Sequence, residues 1–138
     1  MEFEGRRGRL AFPVEASIGR PFGKVVDAEF GTETFRTGVE FDAVAGDSVR
    51  AVAPGQVRFA DWFRGYGKLV ILDHGEQYFT VFGHLAEIFV SVGDAVAEGD
   101  TIGSVGETGS LTGPSLYFEV RRGSRPLDPA LWLEGAAR

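Results

Sequence analysis

The sequence predicts an all-β domain of antiparallel sheets and β-hairpins, and three observations carry that prediction. Helical periodicity is nearly absent. Short runs rich in Val, Ile, Phe and Tyr recur along the chain. Glycine punctuates them at 20 positions, as expected of many tight turns. With 138 residues, of which 43% are apolar and 25% charged, the chain suits one domain with a real core.

In chain order, Met1 to Leu10 reads as a linker or N-terminal extension, and residues 11–134 as the domain. Val49 to Val52 leads through Pro54-Gly55 into Gln56 to Trp62, a strand-turn-strand unit. Lys68 to Asp73 (KLVILD) is a continuous apolar run, the pattern of a strand covered on both faces. His74-Gly75-Glu76-Gln77 forms a turn, with His74 at the surface, and Tyr78 to His84 returns as the hairpin partner. Ser91 to Val96 and Asp100 to Val105 make a further short pair. Leu116 to Arg121 is the last strand, followed by Asp128-Pro129 and one helical turn docked by Trp132.

Alternation assigns faces. Tyr78, Thr80, Phe82 and His84 share one face of their strand. In the last strand Leu116, Phe118 and Val120 point to the core, and Ser115, Tyr117, Glu119 and Arg121 to the other side.

Several classes are excluded by composition. The net charge is −6 and there is no basic stripe, so nucleic acid is not an expected partner. No cysteine is present to form a disulfide or a thiolate zinc site. No segment is apolar enough for membrane insertion, and residues 1–10 lack a signal-peptide stretch.

From Phe12 to Leu133 an ordered series of landmarks resembles the lysostaphin/LytM-type zinc endopeptidase domains of bacterial cell-wall metabolism. It includes Arg36-Thr37-Gly38-Val39-Glu40, Gly65-Tyr66-Gly67, Phe82-Gly83-His84-Leu85 and Gly113-Pro114-Ser115-Leu116-Tyr117-Phe118-Glu119. The resemblance implies a single domain of the duplicated-hybrid-motif type. It also implies where a catalytic zinc would sit, with three protein ligands and one open position for water.

Those ligand positions carry Arg36, Glu40 and Tyr117, and a catalytic His position carries Ser115. Of the usual set only His84 is kept. Arginine has no lone pair to give a metal, and a tyrosine ionises only near pH ~10. The expectation is therefore a peptidase fold that is not an enzyme, with no metal, cofactor or catalytic residue. Arg36 and Glu40, four residues apart, are expected to pair across the space where zinc would lie.

Within this family the stretches Ala60 to Gly67 and Pro114 to Arg122 most resemble the degenerate C-terminal domains of EnvC-type murein hydrolase activators. That resemblance implies a periplasmic or otherwise extracytoplasmic domain, exported as part of a longer chain. Its former active-site groove would bind and activate an N-acetylmuramoyl-L-alanine amidase. The groove candidates are Arg36, Glu40, Tyr66, Leu69, Phe82, His84, Ser115, Tyr117 and Arg121. Taken alone, His84 also suits a hydrogen-bonded structural role, Tyr66 turn packing and Arg121 a solvated strand end. The alternatives are a module gripping peptidoglycan, or a zinc endopeptidase using Glu40 and His84. A biotinyl-type carrier is disfavoured because neither Lys24 nor Lys68 lies at a hairpin tip.

Overall fold

The computed structural model describes residues 2–135, and every strand pairing in it is antiparallel. Its centre is three long strands, β7 (Gly67–Asp73), β8 (Tyr78–Ile88) and β11 (Leu116–Arg122). These are the most apolar runs of the chain, and burial of their shared face aligns them. Around them the main sheet runs β1 (Ile18–Arg20), β4 (Val39–Phe41), β11, β8, β7, β6 (Gly55–Phe63) and β9 (Ala95–Val96). Strand β10 (Thr101–Val105) joins β8 to β5 (Ser48–Arg50), and β12 (Arg125–Leu127) extends β11. A separate two-stranded sheet, β2 (Gly23–Val26) with β3 (Glu33–Arg36), completes the fold.

The core lies on one face of the central strands. Phe118 packs against Phe82 and Phe41 with ring centroids 5.3 and 6.2 Å away. Leu72, Val70, Leu116 and Val120 fill the space between and are fully buried. The run Lys68 to Asp73 is not covered alike on both faces. Val70 and Leu72 enter the core, whereas Leu69 and Ile71 line a groove on the opposite side.

Three local expectations are corrected. The segment 49–52 does not pair with its neighbour across Pro54-Gly55; β5 pairs with β10. Nor do the runs 91–96 and 100–105 pair with each other, since β9 joins β6 and β10 joins β5 and β8. Residues 2–10, expected as a linker, are packed. Phe3 and Leu10 are almost completely buried, Phe3 stacks on His74 and Trp132, and Leu10 bridges Leu133. His74 accordingly lies under Phe3, with both ring nitrogens bonded, to the Pro54 carbonyl and to Thr80 Oγ1.

The expected helical turn forms at Pro129–Leu131, where Asp128 accepts a hydrogen bond from the Ala130 amide at 3.0 Å.

Candidate functional site

The groove face is set by β11. Its core-facing side chains alternate with Tyr117, Glu119 and Arg121, which point into the groove. Strand β8 reaches the same face by an irregularity. Up to Phe82 its even-numbered residues point inward, and Phe82 is fully buried against Phe118. At His84 the backbone turns to φ 61°, a left-handed conformation that favours short polar residues and histidine. The register with β7 slips there, Leu85 takes the core position, and His84 emerges beside Tyr117. Phe82 and His84 therefore lie on opposite faces. Phe82 is a core residue, not a groove residue, because the bulge inverts the alternation between them.

Two loops close over this face by contacts that only glycine permits. Gly67, at φ 71°, lies so near the Thr108 carbonyl that a Cβ would sit 2.0 Å from its oxygen. Gly38 lies equally tightly on β11, where a Cβ would meet the Phe118 carbonyl at 2.5 Å and Glu119 Cγ at 2.8 Å. Thr108 then accepts at its carbonyl from His84 Nδ1 at 2.8 Å. A carbonyl only accepts, so Nδ1 carries the proton.

At the positions that the resemblance gives to zinc ligands, the side chains of this chain make other bonds. Arg36 does not meet Glu40. Thr37-Gly38 divides the expected strand into β3 and β4, and Arg36 leaves with the small sheet to donate to the Pro21 carbonyl at 3.2 Å. Glu40 instead accepts from Ser115 Oγ at 3.2 Å and from Arg20 Nη1 at 3.4 Å. Arg20, absent from the sequence-level candidates, thus makes the pair expected of Arg36. Its weak signal was a basic residue on β1, which pairs with β4 at Glu40.

Tyr117 hydroxyl donates to Glu119 Oε2 and lies 2.9 Å from Thr37 Oγ1. Glu119 is 1% exposed, yet its carboxylate also receives Arg121 Nε, Thr37 Oγ1 at 3.3 Å and Tyr66 hydroxyl at 3.4 Å. Burial, reinforced by the Glu119 hydrogen bond and charge, pushes the Tyr117 phenol far above its usual range. Tyr66 is raised for the same leading reason. The Glu119 hydrogen bond holds the Arg121 guanidinium above its ordinary value.

Two hollows meet at Tyr66. One, of about 400 Å³, is lined by Glu40, Gly65, Tyr66, His84 and Tyr117. The other, of about 460 Å³, is apolar and lined by Phe59, Phe63, Leu69, Ile71, Phe79 and Val81, with Arg58, Glu119 and Arg121 at its margin. Phe59, Phe63, Tyr66, Tyr117 and His84 form an aromatic file along both, with successive centroids 5.5–6.1 Å apart. The candidates Glu40, Tyr66, Leu69, His84, Tyr117 and Arg121 thus lie along one groove, with Ser115 bonded to Glu40, while Arg36 and Phe82 stand apart from it.

A family model, peptidase family M23, matches residues 34–129, the span that builds this groove. The chain belongs to peptidase family M23. Among M23-related proteins, it is 35% identical over 127 residues to the murein hydrolase activator EnvC of Escherichia coli. That match covers 92% of this chain and 29% of the relative. It is also 35% identical over 116 residues to the DD-carboxypeptidase/endopeptidase Mpg of Neisseria meningitidis, covering 84% of this chain and 27% of Mpg. A zinc-containing peptidase from Vibrio cholerae has the same fold, with a TM-score of 0.80 and 30% identity over 88% of this chain and 39% of that one. The chain spans less than a third of the length of these two sequence relatives.

Zinc of the kind named for the Vibrio peptidase does not fit the M23 ligand positions of this chain. Arg36 offers no lone pair, and the Tyr117 hydroxyl is engaged as a donor to Glu119 Oε2. Among the described residues no three His, Cys, Asp or Glu side chains converge as a metal-binding group.

Proposed function

We propose that this M23 domain is non-catalytic and acts in the bacterial cell wall by binding and activating an N-acetylmuramoyl-L-alanine amidase through its groove. The observation that carries this reading is the fate of the three ligand positions. Each holds a side chain committed to another bond, and the resulting surface is aromatic and apolar with a guanidinium at its margin. Tyrosine and arginine dominate the energetics of protein interfaces, because they combine apolar area with directional hydrogen bonds. The resemblance to EnvC supports a protein partner, and it supports a location outside the cytoplasm as part of a longer chain. No helix among the described residues is long and apolar enough to cross a membrane.

Stimulation of a purified autoinhibited amidase tests the proposal. The chain should raise dye release from labelled peptidoglycan saturably. Phe63→Ala or Phe63→Glu, at the exposed part of the aromatic file, should weaken stimulation by about tenfold or more, as expected for removal of an interface hot spot. Their melting temperatures should stay close to that of the unmodified chain. Loss of stability in step with loss of stimulation would count against a contact role. Retention of the chain on purified sacculi without any effect on the amidase would favour a peptidoglycan-gripping module instead.

A further inference from the structure

We propose that Glu119 is the anchor that holds the groove in its binding shape without a metal, a positioning residue acting through Tyr117 and Arg121. The proposal starts from a cost. A carboxylate removed from water loses its hydration, and only donors aimed at it restore the balance. Glu119 is 1% exposed and has such donors from three separate parts of the chain. They are Thr37 from the β3–β4 connection, Tyr66 from the β6–β7 turn, and Tyr117 and Arg121 from β11 itself.

These are the segments that frame the groove. Thr37 lies between the former ligand positions 36 and 40, and Tyr117 is itself the third. A zinc ion bound at those positions would join the 36–40 segment to β11. The carboxylate joins the same two segments one rung further along β11 and adds the Tyr66 turn.

Gly38 supplies an independent sign that this approach is built in. Its missing side chain lets the Thr37 turn lie against Glu119 and Tyr117, where any Cβ would meet Glu119 Cγ at 2.8 Å and Tyr117 Cζ at 2.9 Å. An apolar residue at 119 would fill the volume as well, since buried ion pairs are often no more stabilising than well-packed apolar groups. What an apolar residue lacks is direction. Glu119 fixes where the Tyr117 ring stands and how the Arg121 guanidinium, also held by the Ser124 carbonyl at 3.1 Å, faces the apolar hollow.

The test is Glu119→Gln, which keeps the shape but removes the charge and puts a donor NH2 in place of one acceptor oxygen. NMR of the Arg121 Nε–H group reads the anchor directly and without any partner. In the unmodified chain this proton should exchange about tenfold or more slowly than those of the exposed Arg64 and Arg125, because a charge-assisted bond must open first. In Glu119→Gln that protection should be lost, and amide protection in the Thr37 and Tyr66 turns should fall with it. If Glu119→Gln does not fold, Thr37→Val removes one peripheral donor and should release the 36–38 turn alone. Added zinc should shift no Tyr117 or His84 signal stoichiometrically.

Fast Arg121 exchange in the unmodified chain, groove signals unchanged in Glu119→Gln, or a stoichiometric zinc shift would each overturn the proposal. The activity arm rests on the reading of the groove as an amidase-binding surface, and there Glu119→Gln should lower stimulation with Tyr117 and Arg121 still present. If the unmodified chain stimulates no amidase, the functional reading fails, and the NMR measurements still decide whether Glu119 is the anchor.

Discussion

His74 illustrates how much a single side chain depends on what covers it. Its neutral ring is stacked under Phe3 at 4.6 Å and bonded at both nitrogens. Burial lowers its pKa below 6.5, against smaller upward pulls from the Pro54 carbonyl and Asp73. A histidine whose folded pKa lies below its unfolded one binds fewer protons when folded. Its contribution is therefore fully present above about pH 6.5 and is lost as the pH falls towards the folded value. Denaturant midpoints measured between pH 8 and pH 5 should decline, and His74→Gln should flatten that decline. A slope equal in the two proteins would mean that His74 does not titrate in this window on unfolding. At the same scale the groove chemistry was only partly readable from sequence. Arg36, Glu40 and Tyr117 were visible as replacements because they sit inside recognisable motifs. Glu119 was visible only as a residue on Tyr117's face. Its burial depends on donors at 37 and 66 that no local pattern connects to it.

At the scale of elements, strands β7, β8 and β11 were legible because each is built round a cluster of aliphatic and aromatic residues. Pairing was less so. The Pro54-Gly55 turn suggested a local hairpin, but β5 finds its partner some fifty residues away in β10. The hairpin of β2 and β3 passed unnoticed because its strands are short and mixed in polarity, with only partial burial. Strict alternation placed Phe82 in the groove, and a register slip at His84 that periodicity cannot detect puts it in the core. Phe82→Ala should therefore cost about 3–5 kcal/mol of stability, the range for a large buried aromatic, in a urea titration. A groove residue would cost far less. Gly67→Ala should be destabilising by about 2 kcal/mol or more, since it adds both a positive-φ strain and a clash with the Thr108 carbonyl.

Taken as a whole molecule, the domain closes its bottom with its own N-terminal segment and leaves its groove open on the other side of the sheet. Phe3 shares an aromatic cluster with His74, Tyr78 and Trp132, and the Gly8 and Leu10 amides bond the Trp132 carbonyl at 3.0 Å. Removing residues 2–9 should lower the melting temperature by several degrees, a shift of the size that about 1 kcal/mol gives in a domain of this length. The fold class followed from composition and glycine spacing, whereas this closure did not, because residues 2–10 are polar enough to pass for a linker.

The proposed function is that a peptidase fold works here through binding. It is tested most directly by a dye-release assay on labelled peptidoglycan, run with the chain alone and with an autoinhibited amidase, each with and without equimolar zinc. The chain alone should release no dye at any zinc level, and it should enhance the amidase saturably and independently of added zinc above the amidase's own basal release. Zinc-dependent release by the chain alone would contradict it.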